Sequence, residues 1–192
     1  MKRPGEVYDE LAPYYDFNCS TAVDAQDLLK VRDLISRHGI TNGTILDVGC
    51  GTGMLKEVLG DGFVFTGVDE SSSMLEKAEA RQYSTLPGSM ETVLPKIASK
   101  SFDYVVAVSS VMFVQDVYWV LEEFRRIARH GVVVTLDDIT PKWIQEFGCQ
   151  AYNHTKIKLD NLTEDIYFYA WHSLTTGETI NARLIFERTS HE

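Results

Sequence analysis

The sequence predicts an α/β protein, with a doubly wound, mostly parallel seven-stranded sheet, helices on both faces and an antiparallel carboxy-terminal hairpin. Short apolar runs alternate with helical patterns along most of the chain. The runs are nearly continuous in hydrophobicity, as expected of strands covered on both faces. Towards the carboxy terminus two further runs are joined by a glycine turn, a separation that suits a hairpin better than a crossover.

Leu28, Val31 and Ile35 recur at helical spacing ahead of the first strand, Thr44–Val48. Phe63–Val68 is the second strand, and Ser71 is placed to cap a helix burying Met74, Leu75 and Ala78. A weaker strand lies near Tyr83–Leu86, followed by Phe102–Val108 and Val132–Leu136. Between the last two, Val117, Val120, Leu121, Phe124 and Ile127 form an apolar helical stripe that reads as core. Strand–helix–strand order implies right-handed crossovers. The hairpin pairs Ile166–Trp171 with Ala182–Phe186 through Thr176-Gly177-Glu178. Between Pro141 and Asp165, an aromatic segment with Trp143, Phe147, Tyr152 and His154 shows no strand pattern. Connections of that length tend to carry function or lids.

The 192 residues suit one domain, divided as cap helices over 1–40, a core over 41–137 and a substrate-side segment with the hairpin over 138–192. Eighteen basic against 28 acidic residues leave a net charge of −10, which repels nucleic acid and anionic membranes. No apolar run approaches the roughly 20 residues of a membrane span, and Met1–Glu6 lacks the apolar core of a secretory signal. Cys19, Cys50 and Cys149 are few and scattered, which argues against a disulfide framework or a zinc site and fits the cytoplasm. No metal is expected, and nothing in the sequence sets an oligomeric state.

The chemistry concentrates in Leu46-Asp47-Val48-Gly49-Cys50-Gly51-Thr52-Gly53, with Asp69 closing the next apolar run. Glycines let backbone approach a ligand without a Cβ in the way. A helix start offers unpaired N–H groups to an anionic group, and an acid after the second strand accepts hydrogen bonds from a ribose. Asp47 either caps the turn or contacts the ligand, since a buried carboxylate needs a partner. The Gly-x-Gly-x-Gly spacing differs from the Gly-x-Gly-x-x-Gly of dehydrogenases.

With the helix-forming Met54–Leu59 stretch, this segment resembles the class I S-adenosylmethionine-dependent methyltransferases, small-molecule members in particular. Val68–Leu75 is similar to their second motif, Phe102–Val106 to their fourth strand, Arg129–Val134 to the turn into strand five, and Tyr8–Asp16 to their amino-terminal cap. The resemblance covers most of residues 8–137. It implies a Rossmann-like fold, S-adenosylmethionine as cofactor, S-adenosylhomocysteine as product and a small-molecule acceptor. It also implies that Gly49, Gly51 and Gly53 line the methionine and ribose, with Cys50 a small spacer among them. Asp47 would hold the amino group, Asp69 the ribose hydroxyls, and Glu70 would pack beside the adenine. Ser89 and Met90 stand where relatives often carry an acid and a small residue against the adenine, and Met74 joins the cofactor contacts. Val108 and Ser109 would leave strand four at the reaction centre, with Met112 and Phe113 either core or pocket. Tyr8 and Tyr15 would close over the cofactor or pack in the cap, as would Tyr14.

Methyl transfer from a sulfonium needs in-line positioning, and a base only if the acceptor must lose a proton. The sequence singles out no catalytic residue; Tyr15, His154 and His172 are the candidates, and both histidines have structural alternatives. Asp137 and Asp138 end strand five, where they either meet an acceptor or cap the turn before Pro141. A protein-directed methyltransferase and a non-catalytic cofactor-binding module stay open beside the small-molecule reading. The glycine spacing disfavours a nicotinamide dehydrogenase.

Overall fold

β-branched and aromatic runs form the strands that their side chains favour. The computed structural model describes residues 1–21, 24–156, 165–173 and 176–189. Two helices, α1 (Pro4–Thr21) and α2 (Asp24–Arg37), precede β1 (Gly43–Val48), α3 (Met54–Leu59), β2 (Phe63–Asp69), α4 (Ser72–Ala80) and β3 (Ser84–Pro87). Then come α5 (Met90–Val93), β4 (Phe102–Ala107), α6 (Val117–Ile127), β5 (Ala128–Asp137), α7 (Pro141–Phe147), β6 (Asp165–His172) and β7 (Thr179–Arg188). The seven strands lie in the order β3-β2-β1-β4-β5-β7-β6. The pairings from β3 through β5 are parallel, and β7 runs antiparallel to both neighbours.

Alternation along each central strand divides the core between two faces. Leu46, Val105, Val132 and Val134 face α6, whereas Ile45, Val106 and Val133 face α2, α3 and α4. The predicted stripe of α6 is buried throughout, with Phe124 at 0% exposure. Asp116 caps that helix, its carboxylate accepting from the Trp119 amide at 3.0 Å. At the other end Arg125 pairs with Glu187 of β7 at 2.8 Å, tying helix to sheet.

One region adds to the sequence reading and one departs from it. The aromatic segment after Pro141, which shows no strand pattern, opens with a helix: Thr140 caps α7, Pro141 sits where a missing N–H costs nothing, and Gly148 ends it at φ 83°. Residues Arg129–Gly131, read as a turn into strand five, belong to β5 itself. The strand pairs Ala128 with Phe102 and then Gly131 with Tyr104, an irregularity that takes up the extra residue. Among the described residues, no helix is long and apolar enough to cross a membrane.

Strand order reverses direction at the β1–β4 boundary, and there the connecting chains diverge to leave a crevice beyond the carboxyl ends of the strands. Asp47 sits at that edge of β1, between Gly67 of β2 and Val106 of β4. Replacing the core of α6 should show how far this layer carries the fold. Phe124→Ala is expected to lower unfolding free energy by about 3–5 kcal/mol, read from urea titration followed by circular dichroism.

Candidate functional site

The crevice holds a cavity of about 290 Å³. Its floor is the glycine turn after β1. Gly49 has φ 74°, and a Cβ there would lie 2.3 Å from the Ser110 Cβ. Ser110 donates its hydroxyl to the Val48 carbonyl at 2.7 Å, so the exits of β1 and β4 are locked together where the chain has no side chain. The Gly51 amide donates to Asp69 Oδ2 and the Ser71 amide to Asp69 Oδ1, both at 2.9 Å. Burial pushes the Asp69 carboxyl above its usual range, against the pull of those two amides. The carboxylate is thus fixed in orientation at the cavity wall.

Asp47 is 4% exposed and accepts a 2.9 Å hydrogen bond from the Tyr83 hydroxyl. Burial lifts its carboxyl from the usual 3.8 to about 7; Tyr83 opposes the shift and the Asp69 charge adds to it. Tyr83 itself is buried and stacks on Phe65 with ring centroids 5.0 Å apart. Its ring fits only because Gly53 and Gly67 carry no side chain: a Cβ would come within 2.9 Å of it at Gly53 and 3.0 Å at Gly67.

α1 closes the cavity from above. Asp9 accepts from the Ser71 hydroxyl at 2.6 Å and the Ser73 amide at 3.0 Å, and these bonds hold its carboxyl below the usual range. Asp16 accepts from Thr52 Oγ1 and, at 3.0 Å, from Arg81, whose guanidinium also donates to the Thr52 carbonyl. Tyr8 packs with ring centroids 5.8 Å from Phe113 and 5.7 Å from Phe147. Phe147 in turn stacks on Trp143 at 4.5 Å. Trp171 and Ser173 of the hairpin, and Asp27 of α2, also line the cavity.

Of the residues singled out from the sequence, Tyr8, Tyr15, Asp47, Gly49, Cys50, Gly51, Asp69, Glu70, Ser89, Met90, Val108 and Ser109 all line this one cavity. Others do not reach it. Gly53 serves Tyr83 instead, and Met74, 0% exposed, is core; its amide receives the Ser71 cap. His154 is buried outside the cavity lining, with a ring nitrogen 2.8 Å from the Val114 carbonyl, and burial holds its pKa down. It docks the chain after α7 onto the β4 exit. The side chain of His172 lies outside the described residues. Tyr14 is exposed, whereas Met112 and Phe113 belong to the wall. Asp137 accepts from the Trp171 indole at 2.8 Å, and Asp138 accepts from Asn153 at 2.6 Å, so Thr140 rather than either acid caps α7. Sequence reasoning missed Asp27 and Tyr83. Asp27 stands four residues before Val31 and eight before Ile35, a carboxylate on an apolar stripe, which is a readable signal. Tyr83 reads locally as the start of a strand, with no sign of its partner.

A glycine turn between β1 and α3, acids at the ends of β1 and β2 and a cavity at the strand-order reversal are the arrangement that the resemblance to class I S-adenosylmethionine-dependent methyltransferases implies. Residues 46–136 match the methyltransferase domain family. Among solved structures, magnesium protoporphyrin IX methyltransferase from Synechocystis PCC 6803, with bound S-adenosylmethionine, aligns at TM-score 0.63 and 16% identity over 86% of this chain and 79% of that one. A methyltransferase from Thermotoga maritima aligns at TM-score 0.65 and 18% identity over 94% and 98% of the two chains. A Haloferax volcanii protein solved in complex with the Trm112 methyltransferase activator aligns at 0.69 and 15% over the full length of both. No curated protein matches by sequence. Residues 46–136 thus carry a methyltransferase domain within the fold of these proteins; the cofactor of such a domain is S-adenosylmethionine and its product S-adenosylhomocysteine.

The raised Asp47 carboxyl has a thermodynamic consequence. In the unfolded chain it ionises near 3.8 and in the folded protein near 7. Its contribution is fully present below the lower value and is lost as pH rises towards the upper one. Over that window the ionised form costs the fold on the order of a few kcal/mol. Asp47→Asn keeps an oxygen for Tyr83 and carries no charge. Its melting temperature is expected to rise relative to wild type between pH 4 and about 7 and to hold that lead above it, as scanning fluorimetry across pH would show.

Proposed function

We propose that the protein transfers the methyl group of S-adenosylmethionine to a small-molecule acceptor held in the aromatic end of the cavity. One observation carries this: the cavity is roofed by α1 and bounded beyond the β4 exit by the Tyr8–Phe113–Phe147–Trp143 cluster. A roofed cavity with an aromatic end suits a small body rather than a protein surface or a duplex.

The chain's own groups fit the cofactor. Among the described residues Asp47 has one neutral donor and no cation, so an ammonium group beside it would supply the missing charge. Asp69 is held by two amides and has oxygen lone pairs left for a ribose diol. Gly51 leaves room in the turn: a Cβ there would meet nothing nearer than the Tyr15 ring at 4.0 Å. Glu70, Ser89 and Met90 would then border the adenine, and Val108 and Ser109 the reacting end. When bound, the cofactor supplies a methyl group already activated on a sulfonium. The protein's task is to hold the acceptor atom in line, about 3 Å away, and to keep water out. Tyr8 and Tyr15 of α1 exclude solvent, and the β4 exit fixes the approach. We read residues 1–40 as the cap, 41–137 as the cofactor core and 138–192 as the acceptor side of one domain, acting in the cytoplasm.

Asp69→Asn should test the assignment of the ribose contact. It is expected to weaken S-adenosylhomocysteine binding by about tenfold or more, seen by titration calorimetry, with the melting temperature little changed; unaltered affinity would remove Asp69 from the site. Incubation with methyl-labelled S-adenosylmethionine and a metabolite extract should put label into the small-molecule fraction. Label in protein instead would favour a protein acceptor, and no transfer a binding module.

A further inference from the structure

The wall of the cavity carries five carboxylates, Asp27, Asp47, Asp69, Glu70 and Glu91, and among its described residues no lysine, arginine or histidine. Three of these acids lie at the glycine-turn end or just beyond β2, where the cofactor reading engages them. Asp27 comes from a different element. It enters from the first turn of α2, and one turn further on Lys30 lies over the Tyr169 ring of β6, with its nitrogen 4.6 Å from the centroid. Tyr169 packs against the cluster holding Trp143 and Trp171. Asp27 is 4% exposed and lines the same cavity as Trp143 and Trp171.

A phosphate or carboxylate on the acceptor would meet no cation in this wall and five like charges, a cost that low-dielectric surroundings magnify. An amine meets the opposite. Aromatic faces attract a cation through their quadrupole, and a buried carboxylate pairs with it. We propose that the acceptor is an amine on an aromatic or aliphatic body, that Asp27 contacts its nitrogen, and that nitrogen receives the methyl group.

The balance is simple. The amine binds as an ammonium against Asp27 and gives up one proton before transfer, to that carboxylate or to water. The nitrogen lone pair then forms the N–C bond as the C–S bond breaks. Sulfur keeps that pair and becomes a neutral thioether, so the positive charge passes to nitrogen. Asp27 therefore acts on that nitrogen as counterion, and as proton acceptor where the proton passes to it rather than to water.

This inference rests on the methyltransferase reading, and the test separates the two. S-adenosylhomocysteine affinity is measured first by calorimetry; its absence would sink the cofactor assignment alone. Phenethylamine, phenethyl alcohol and hydrocinnamate, which share a phenyl ring and similar size, are then titrated into the protein with and without S-adenosylhomocysteine. Phenethylamine is expected to bind about tenfold or more tightly than hydrocinnamate. Asp27→Asn should bring that ratio near one while leaving S-adenosylhomocysteine affinity unchanged, and Asp27→Glu should recover part of it. If no amine binds at millimolar concentration, or hydrocinnamate binds as well as phenethylamine, the proposal falls on wild-type protein alone. It falls equally if folded Asp27→Asn keeps the wild-type ratio.

Discussion

The hydrogen bond from Tyr83 to Asp47 is the constraint on which the cofactor end is built. A carboxylate at the carboxyl edge of β1, flanked by Gly67 and Val106, has almost no water to solvate it. One phenol hydroxyl is a partial remedy, since a neutral donor offsets only part of the cost of burying a charge. The protein nonetheless sacrifices packing volume to keep that hydroxyl in place: Gly53 and Gly67 are both emptied of side chains where the Tyr83 ring passes. Such an arrangement makes poor sense as stabilisation and good sense as preorganisation, because the unmet part of the Asp47 charge is what a cationic group would satisfy.

α1 couples the two ends of the cavity. Tyr8 and Tyr15 are seven residues apart, as are Asp9 and Asp16, so each pair shares a face and the two faces are adjacent. The tyrosines line the cavity, while the acids reach Ser71 and Ser73 at the start of α4 and Thr52 and Arg81 beside the glycine turn. Before α1, the Lys2 amide bonds to the Gly148 carbonyl at 3.3 Å, at the end of the helix that carries Trp143 and Phe147. A single helix therefore rests on the cofactor turn, the following helix and the aromatic wall. Its seating is sensitive to all three, and a ligand at either end acts on the same roof.

What the sequence revealed followed the range over which each signal acts. Strands covered on both faces announce themselves in consecutive residues, so β1, β2, β4 and β5 were legible, as was the buried stripe of α6. The glycine turn and its two acids lie within one stretch of chain, and most of the cavity floor was readable for that reason. Tyr83 was not, because its partner is 36 residues away and only the parallel pairing of β1 with β2 and of β2 with β3 brings them together. Gly53 and Met74 matched a motif by position, yet a motif cannot distinguish a residue that faces the ligand from one that lets its neighbour do so. His154 has the chemistry of a catalyst, and burial against the Val114 carbonyl decides against it. The β5 irregularity and the cap of α7 depend on pairing and capping geometry that composition only hints at.

The acidic balance acquires a second meaning beside the cavity. From the sequence, −10 serves mainly to exclude polyanionic partners. With five carboxylates around one roofed volume, the same charge also selects what enters. Over solution distances the net field is screened within about 8 Å at physiological salt. Asp27 and Asp47, which are buried, are screened far less than the exposed Glu70 and Glu91 and act more strongly on a cation. A sulfonium with an ammonium tail is favoured there, and on the amine proposal the charge left over for an acceptor is that of Asp27, which α2 supplies. Selection at the acceptor end thus comes less from the shape of the aromatic wall than from a single carboxylate that the α2 stripe carries where a leucine would pack as well.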